Sequence, residues 1–585
     1  PSIEPGRMYQ VRFTYTTMAG RVLPVTLTES GYSLGQPVSR TTTAHYDDKG
    51  LLTHIDGPLP GPEDTVQVRR DGDDAQGNSR WTLVDALGRE VSSSTDGWAG
   101  SSMAWLEDVG RFHTEAGALR HVADNGVQQT IRLDDFNRVV QIVSPDAGTD
   151  TIHYDEADRV VRETDATGAV VSFVRDAWDR PLVKTVTSLD GFRDETRYRY
   201  EGRWLAEVQG SNVTEHYRHD AQGRVVERQV DLHPENGVVT KTFRYQYTYA
   251  ANQSQPDQVT LPDGSVVRRS PRQGRDGKSA AVEVTLKEHA KASARLLYRR
   301  ELVGSAVDGK GVEDHWLLGN GVQRQLSWNG EGRLTMFREI RPGAASSDEN
   351  ALYSMRYGYR RDGKVARIDT QTHAQQFAYD PAGRLIIAQR TRLDAANTRQ
   401  PSVMAQDRTS VEFEKGGTPV AVSPAASGQS EEAGAWWYAY DANGNRLFSG
   451  RHDPANANAN ANANANAGGT DDILAHVSGV RSAYHKGSNR LAGVDYDAAG
   501  RPLQWNGWKL TWHPGGQILS MVHADGRSIR YYYNHRGERV ARREGQQWDF
   551  YDYVEGRLQA QATTAHEGMR LWWHEGEIPV AVMER

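Results

Sequence analysis

Aspartate and arginine recur at a fixed spacing in this chain, and both residue types could do chemistry. An Asp or Asn is followed, after two free positions, by Gly, Asn or Asp and then by Arg. Paired carboxylates could act as acid and base in glycoside hydrolysis, and arginines could bind phosphate. Because every copy supplies an Asp, the sequence does not distinguish a catalytic carboxylate pair from turn chemistry.

The motif is too frequent to be accidental. A chain of this length and composition would give about one match by chance, whereas eight are present. Tyr precedes the Asp at Tyr154, Tyr379 and Tyr496, and β-forming residues follow the Arg. The copies lie at Asp85–Arg89, Asp134–Arg138, Asp155–Arg159, Asp176–Arg180, Asp220–Arg224, Asn329–Arg333, Asp380–Arg384 and Asp497–Arg501. The motif residues Asp134, Asp155 and Asp176 follow one another at intervals of 21 residues. This interval leaves room for two strands and two turns.

Each copy predicts a turn between two β-strands. The first Asp accepts hydrogen bonds from backbone amides further along the turn. The fourth position must be left-handed, which Gly tolerates without steric cost, and Asn and Asp tolerate best among other residues. We therefore predict positive φ at Asn137, Asp158, Asp179, Gly223 and Gly383. We assign a structural turn role to Asp85, Gly88, Arg89, Asp134, Asn137, Arg138, Asp155, Asp158, Arg159, Asp176, Asp179, Arg180, Asp220, Gly223, Arg224, Asp380, Gly383, Arg384, Asp497, Gly500 and Arg501.

The recurrent Arg has two interpretations. In the structural one, it pairs with a carboxylate across strands, or its stem lies over a tyrosine ring. In the other, it binds a ligand or a phosphate. The Arg is present in every copy, including copies with unrelated surroundings, and this favours the structural interpretation.

Other segments that resemble catalytic or metal-binding motifs lack a residue that the motif requires. Gly277-Lys278-Ser279 ends like a phosphate-binding loop, but Arg272 stands where a Gly is required. Asp71-x-Asp73 begins like a calcium loop, but Gln76 replaces its Gly. The chain has no Cys, no His-Glu-x-x-His and no Gly-x-Ser-x-Gly. We therefore predict no catalytic residue, no cofactor and no metal in this chain.

Composition indicates a repeat protein with much surface. The chain has 585 residues, 37% of them hydrophobic, a net charge of −7 and a mean hydropathy of −0.70. This length exceeds what one compact core supports. No apolar run is long enough for a membrane helix, and the scattered charge argues against a nucleic-acid surface. The sequence begins at Pro1 without a signal peptide, so we expect it to derive from a longer product.

The turn signals predict an all-β fold in two regions. Residues 1–80 form an irregular N-terminal β region, and residues 81–585 form the repeat region. Loop excursions are predicted at about 391–434 and 454–470, the second being an Ala-Asn tract. Asp263-Gly264, Asp362-Gly363 and Asp525-Gly526 predict further hairpin turns. Helical periodicity is nearly absent, with one modest candidate at Leu286–Leu297.

Two segments resemble the YD-repeat, or Rhs, family. They are Tyr-Asp-x-x-Gly-Arg-Leu at Tyr379–Leu385 and Tyr-Asp-Ala-Asn-Gly-Asn-Arg-Leu at Tyr440–Leu447. The resemblance extends over most of residues 40–585. It implies a β-hairpin ribbon that winds spirally into a hollow shell, or cocoon, of which this chain forms all or a part. The family includes bacterial polymorphic toxins exported by type VI and other secretion routes, the B and C components of insecticidal toxin complexes, and teneurins.

The resemblance also implies a function. The shell would encapsulate and deliver a toxic C-terminal effector, in competition between bacteria or against a host, after export from the bacterium. Expected partners are the enclosed effector, a second chain or C-terminal segment that completes the shell, and a tip protein of a secretion apparatus. The family's Asp-Pro-x-Gly-Leu self-cleavage signature is absent, since Asp453-Pro454 does not match it. We therefore expect this chain not to be an enzyme.

Two other function classes stay open at this point. The first is a surface-adhesion or carbohydrate-binding module that uses Trp505, Trp508 and Trp512. An open groove lined by these rings would favour it. The second is a glycan-active enzyme on a β-repeat frame, which a converging pair of buried carboxylates would favour.

Overall fold

A computed structural model shows that the described part of the chain folds into β-strands and turns. The described residues are 8–61, 64–73, 79–84, 90–94, 112–115, 118–122, 127–176, 178–235, 240–273, 280–304, 311–344, 351–380, 382–393, 434–441, 443–452, 478–565, 568–575 and 578–584. Among them, no helix is long and apolar enough to cross a membrane. The all-β prediction is confirmed.

The strands form antiparallel sheets in which strand order follows the chain. A seven-stranded sheet contains β1 (Gln10–Met18), β2 (Arg21–Ser33), β3 (Gln36–Tyr46), β4 (Leu52–Asp56), β5 (Val66–Asp73), β6 (Ser79–Val84) and β7 (Glu90–Ser94). A nine-stranded sheet contains β35 (Gln504–Trp505), β36 (Trp508–Trp512), β37 (Ile518–His523), β38 (Ser528–Tyr533), β39 (Arg539–Glu544), β40 (Gln547–Val554), β41 (Arg557–Thr563), β42 (Met569–Glu575) and β43 (Ile578–Glu584).

A longer run of hairpins lies between these two sheets in the sequence. Its first half contains β8 (Phe112–Glu115), β9 (Ala118–Val122), β10 (Gln128–Leu133), β11 (Val139–Ser144), β12 (Gly148–Tyr154), β13 (Val160–Thr164), β14 (Val170–Arg175), β15 (Pro181–Thr187), β16 (Arg193–Glu201), β17 (Trp204–Gln209), β18 (Val213–His219), β19 (Val225–Leu232), β20 (Lys241–Thr248) and β21 (Gln258–Thr260). Its second half contains β22 (Val266–Gln273), β23 (Ala280–Lys287), β24 (Arg295–Gly304), β25 (Val312–Leu318), β26 (Gln323–Trp328), β27 (Leu334–Ile340), β28 (Ala351–Tyr359), β29 (Val365–Thr370), β30 (His373–Tyr379), β31 (Leu385–Arg392), β32 (Gly434–Tyr440), β33 (Arg446–His452) and β34 (Ser478–Arg481).

The chain divides into two compact units. One consists of Pro1–Tyr245 and Tyr484–Arg585, and the other of Gln246–Ala483. Each has its own buried side chains, such as Leu232 and Phe243 in the first unit and Leu286 and Tyr298 in the second, all fully buried. Burial alternates along strands such as β19 and β20, as expected when one face of a sheet is covered.

One sequence-based expectation is wrong. The helix candidate at Leu286–Leu297 contains the end of β23, a turn and the start of β24. Leu286 is fully buried in a sheet, so its packing overrides the weak helical periodicity. The predicted boundary at residue 80 stays a prediction. The predicted excursions at 391–434 and 454–470 lie almost entirely outside the described residues.

Candidate functional site: repeat turns and a seam between ribbon segments

The repeat turns share one hydrogen-bond pattern. In the copy at Asp155–Arg159, the Asp155 amide donates to the Arg159 carbonyl over 3.0 Å, and the Asp158 amide donates to the Asp155 carbonyl over 3.3 Å. Oδ1 of Asp155 accepts from the amides of Ala157 and Arg159 at 3.0 and 2.9 Å. The carboxylate therefore satisfies the inward-facing amides of its own turn.

The fourth turn position is left-handed in every described copy. At the five predicted positions, φ is 62° at Asn137, 63° at Asp158, 61° at Asp179, 82° at Gly223 and 80° at Gly383. This is the conformation that the turn interpretation requires. The assigned turn residues Asp85, Gly88 and Arg89 lie outside the described residues.

The Asp-Gly turns have the same geometry as the repeat turns. The Leu261 amide donates to the Ser265 carbonyl, and the Gly264 amide donates to the Leu261 carbonyl. Only the Gly of the Asp263-Gly264 pair has positive φ, at 81°, whereas a two-residue type I′ turn needs it at both positions. Leu261 thus stands where the repeat has its Asp, and the two kinds of turn belong to one structural type.

The Arg of the repeat pairs with the Asp of its own turn. Nε of Arg159 donates to Oδ2 of Asp155 over 2.6 Å. The same contact, at 2.6–2.9 Å, joins Asp134–Arg138, Asp176–Arg180, Asp220–Arg224, Asp380–Arg384 and Asp497–Arg501. In the Asn329 copy, which lacks the carboxylate, Arg333 contacts Glu331 instead, at 2.9 Å. The guanidinium is thus anchored by the turn that carries it.

The same Arg also reaches the next turn, in a contact that we call the Arg–aromatic clamp. The Arg138 guanidinium lies 4.8 Å from the Tyr154 ring centroid, and its Nη1 donates to the Asp155 carbonyl over 3.0 Å. In return, the Tyr154 hydroxyl donates to the Val139 carbonyl over 2.8 Å. The Tyr of the Tyr-Asp pair therefore bonds to the residue that follows the preceding Arg.

The clamp recurs along the chain. Corresponding ring contacts are Arg180–Tyr200, Arg333–Tyr359, Arg384–Tyr440 and Arg501–Trp512, with the guanidinium 4.2–6.0 Å from the centroid. Where Arg175 replaces the Tyr, its Nη1 donates to the Val160 carbonyl over 2.6 Å. The sequence predicted an Arg stem over a Tyr ring but not this returning hydroxyl bond, for which the recurring Tyr-Asp pair was the signal.

Within the unit formed by 1–245 and 484–585, two segments of the ribbon contact each other along a seam. We define the seam by contacts between residues 146–235 and 488–552. Its pairs are Asp146–Ser488 at 2.6 Å, Asp165–Arg501 at 3.9 Å, Asp194–His513 at 3.5 Å, Asn212–Tyr533 at 3.3 Å, Glu215–Arg536 at 3.0 Å and Arg228–Asp552 at 2.9 Å. From Asp146 to Arg228 the two segments advance in the same direction, and Glu235 also contacts Tyr532 and Arg543. The ribbon therefore returns alongside an earlier stretch of itself.

The centre of the seam is a group of charged and polar side chains, which we call the buried charge cluster after its buried members Glu215, Arg228 and Asp552. Tyr217, which is half-buried, and Arg536, whose side chain is 37% exposed, complete the cluster. Arg228 donates to both oxygens of Asp552 at 2.9 Å and to Glu215 at 3.3 Å. The Tyr217 hydroxyl donates to Glu215 over 2.5 Å. Glu215 and Asp552 are 1% and 2% exposed and Arg228 is 6% exposed. Isolated charges would be costly there, so the mutual pairing is what makes their burial tolerable.

The cluster contains the pair of buried carboxylates that an enzymatic interpretation would need. However, the Arg228 guanidinium contacts both Glu215 and Asp552. Burial raises the pKa of Glu215, but Arg228 and Arg536 outweigh it and hold that pKa below its usual value. A general acid for glycoside hydrolysis needs the opposite shift. Among the described residues, no group of three or more His, Asp or Glu could hold a metal ion.

The C-terminal tryptophans have separate environments. Trp512 occupies a clamp position, and its Nε1 donates to the Pro502 carbonyl over 2.8 Å. Trp508 lies 4.8 Å from the His523 ring and has Arg527 over it at 5.4 Å. Trp505 is 46% exposed. Structural contacts thus account for two of the three rings of the predicted carbohydrate site.

Comparison with known proteins identifies the repeat. A family model described as RHS Repeat matches residues 154–193, the segment that carries the turns at Asp155–Arg159 and Asp176–Arg180. Residues 154–193 are an RHS repeat. No curated protein matches the sequence.

Solved structures share the fold of this chain. A crystal structure of TcdB2-TccC3 matches with a TM-score of 0.55 and 14% identity, over 98% of this chain and 32% of that chain. A TcdB2-TccC3-Cdc42 crystal structure gives 0.55 and 15%, over 98% and 31%. A Photorhabdus luminescens Tc holotoxin pore with a mutated TccC3 gives 0.56 and 13%, over 98% and 31%. The chain spans about a third of the length of these solved chains.

Proposed function

We propose that this chain forms all or part of the wall of a hollow container. The container would enclose a toxic polypeptide and deliver it to a competing bacterium or a host. The seam is the observation that carries this proposal. A ribbon that returns beside itself 297–344 residues later, joined by hydrogen bonds and ion pairs, makes a continuous surface rather than an open strip. A continuous surface is what a container wall needs.

The proposed mechanism is confinement rather than catalysis. The clamps fix hairpins to their neighbours at several places along the ribbon, and the seam fixes one stretch of ribbon to another. Such a wall has one face towards solvent and one towards a lumen, which accounts for the mean hydropathy of −0.70. The cargo would be kept from its target until the wall opens.

The proposal includes partners and a location. The similar solved structures are named as assemblies of TcdB2 with TccC3 or as a holotoxin pore. Their composition supports a wall completed by a further polypeptide or by more of the same chain. We propose export from a bacterium, with type VI secretion and its tip protein as one route.

Limited proteolysis of the full protein from its producing bacterium tests the container directly. Mass spectrometry would first identify the polypeptides that co-purify with residues 1–585. We expect one of them, the cargo, to survive protease at pH 7.5 while the wall is folded and to be digested once the wall is denatured. Cargo that is digested at the same rate in both states would contradict the proposal.

A further inference from the structure

His535 lies in the seam beside the buried charge cluster. Its Nδ1 is 3.6 Å from Oε1 of Glu215, and its side chain is 12% exposed. This nitrogen is buried and makes no hydrogen bond. The ring meets Tyr198 edge-on, with 5.8 Å between centroids. The other ring nitrogen, Nε2, lies 3.3 Å from Nη1 of Arg536, a group that can only donate. A neutral imidazole, which can accept there, therefore fits this site.

Burial disfavours a positive charge on His535, and its charged neighbours offset that effect only in part. Arg536 and Lys184 are positive neighbours, and the carboxylates Glu215 and Glu538 oppose them. Glu215, however, already accepts hydrogen bonds from Arg228, Arg536 and Tyr217. An imidazolium would have to share this carboxylate with two guanidinium groups while losing its hydration. Burial is the larger effect, and it lowers the pKa of His535 to about 4.

We propose that His535 and the buried charge cluster form an acid-sensitive latch on the seam. At neutral pH the neutral imidazole packs against the cluster, and residues 213–232 stay attached to residues 528–554. In acid, protonation of the imidazole favours separation of the two segments, while the hairpins and their clamps stay formed. The use of the latch to open a container rests on the proposed function, but the separation itself does not.

The sign and the size of the effect follow from linkage. An exposed His has a pKa of about 6.5, so the separated seam binds a proton more readily than the closed seam. The contribution of His535 to seam closure is therefore fully present above pH 6.5 and is lost progressively as pH falls towards 4. Between pH 7.5 and 5.0, the equilibrium constant for opening should increase about 30-fold.

Thiol labelling measures this opening, because the full chain contains no Cys. A probe at Val213→Cys would lie on the buried face of β18 that also carries Glu215. Val213 is 2% exposed, whereas Leu189 is 84% exposed and reports the intrinsic reactivity as Leu189→Cys. Val267→Cys, at a 1% exposed position in the other unit, is the buried control.

We expect the labelling rate of Val213→Cys, divided by that of Leu189→Cys, to rise about 30-fold from pH 7.5 to 5.0. The ratio for Val267→Cys should stay constant. Adding His535→Asn should abolish the rise. His216→Asn should preserve it, because His216 lies on the same strand as Glu215 but has a 44% exposed side chain. A constant ratio in the parent protein, or an unchanged rise with His535→Asn, would overturn the latch.

A second substitution covers the case in which His535→Asn loosens the seam at every pH. His535→Leu fills the site without a titrating nitrogen and should keep Val213→Cys protected at both pH values. Rapid labelling at pH 7.5 in both variants would also overturn the latch, since His535 would then hold the seam by its shape alone. Cargo protection at pH 7.5 tests the container independently, so the two failures are distinguishable.

Discussion

At the residue scale, the turn explains why the repeat tolerates so few residue types. The Asp carboxylate serves two backbone amides and the Arg Nε at once, and the fourth residue must have positive φ. These requirements are local, and for that reason they were predictable from spacing and residue type alone. The left-handed residues Asn137, Asp158 and Asp179 are the clearest case.

Substitution of Asn137 tests the backbone requirement. Asn137→Val should lower the free energy of unfolding by about 1–2 kcal/mol, because a β-branched residue is strongly disfavoured in the left-handed region. Asn137→Gly should change it by less than about 0.5 kcal/mol, since Gly adopts this conformation freely. Urea denaturation of both variants measures the difference. Equal destabilisation by Val and Gly would contradict the turn assignment.

Substitution of Asp155 separates the hydrogen-bond role of the carboxylate from its charge. Asp155→Ala removes the acceptor for two amides and should cost about 2 kcal/mol. Asp155→Asn keeps an oxygen acceptor, as Asn329 does for the amides of Glu331 and Arg333. We expect it to cost about 1 kcal/mol less than the Ala variant in urea denaturation. The opposite order would show that the charge dominates.

At the element scale, the clamp makes successive hairpins depend on one another. The Arg reaches forward to the next turn, and the aromatic residue reaches back to the residue after the Arg. The sequence revealed the Tyr-Asp pairs but not which strand each Tyr would contact, because register and neighbour order are set by the sheet. Arg175 stands where other copies have the Tyr, and it still donates a hydrogen bond back to the Val160 carbonyl. The backward hydrogen bond is therefore kept although the residue type changes.

Removal of one hydroxyl tests the clamp. Tyr154→Phe keeps the ring beneath Arg138 but loses the hydrogen bond to the Val139 carbonyl, and should cost about 1 kcal/mol in the free energy of unfolding. Tyr15, 61% exposed on β1, provides the control, and Tyr15→Phe should have no measurable effect. If both substitutions had the same effect in urea denaturation, the Tyr154 hydroxyl would have no stabilising role.

At the scale of the whole molecule, the seam could not be predicted from the sequence. Glu215, Arg228 and Asp552 lie on strands where charged residues are common, and nothing in their spacing marks them as buried. Arg228 and Asp552 are separated by 324 residues. Their pairing depends on where the ribbon returns, which is a property of the assembled fold rather than of any local motif.

The buried charge cluster gives a prediction at this scale. Arg228→Ala leaves two buried carboxylates without their shared cation and should destabilise the unit by about 3–5 kcal/mol. Arg218→Ala removes a pair with Glu227 in which Arg218 is 67% exposed, and should cost less than about 1 kcal/mol. Urea denaturation compares the two. A small effect of Arg228→Ala would mean that the cluster does not hold the seam.

Electron microscopy of the full chain, purified with any polypeptide that accompanies it, tests the container most directly. The proposed function predicts a continuous wall, about one sheet thick, around an interior that is empty or holds density belonging to a separate polypeptide. A particle whose interior is filled by the chain's own side chains, or an open strip without an enclosed volume, would contradict it.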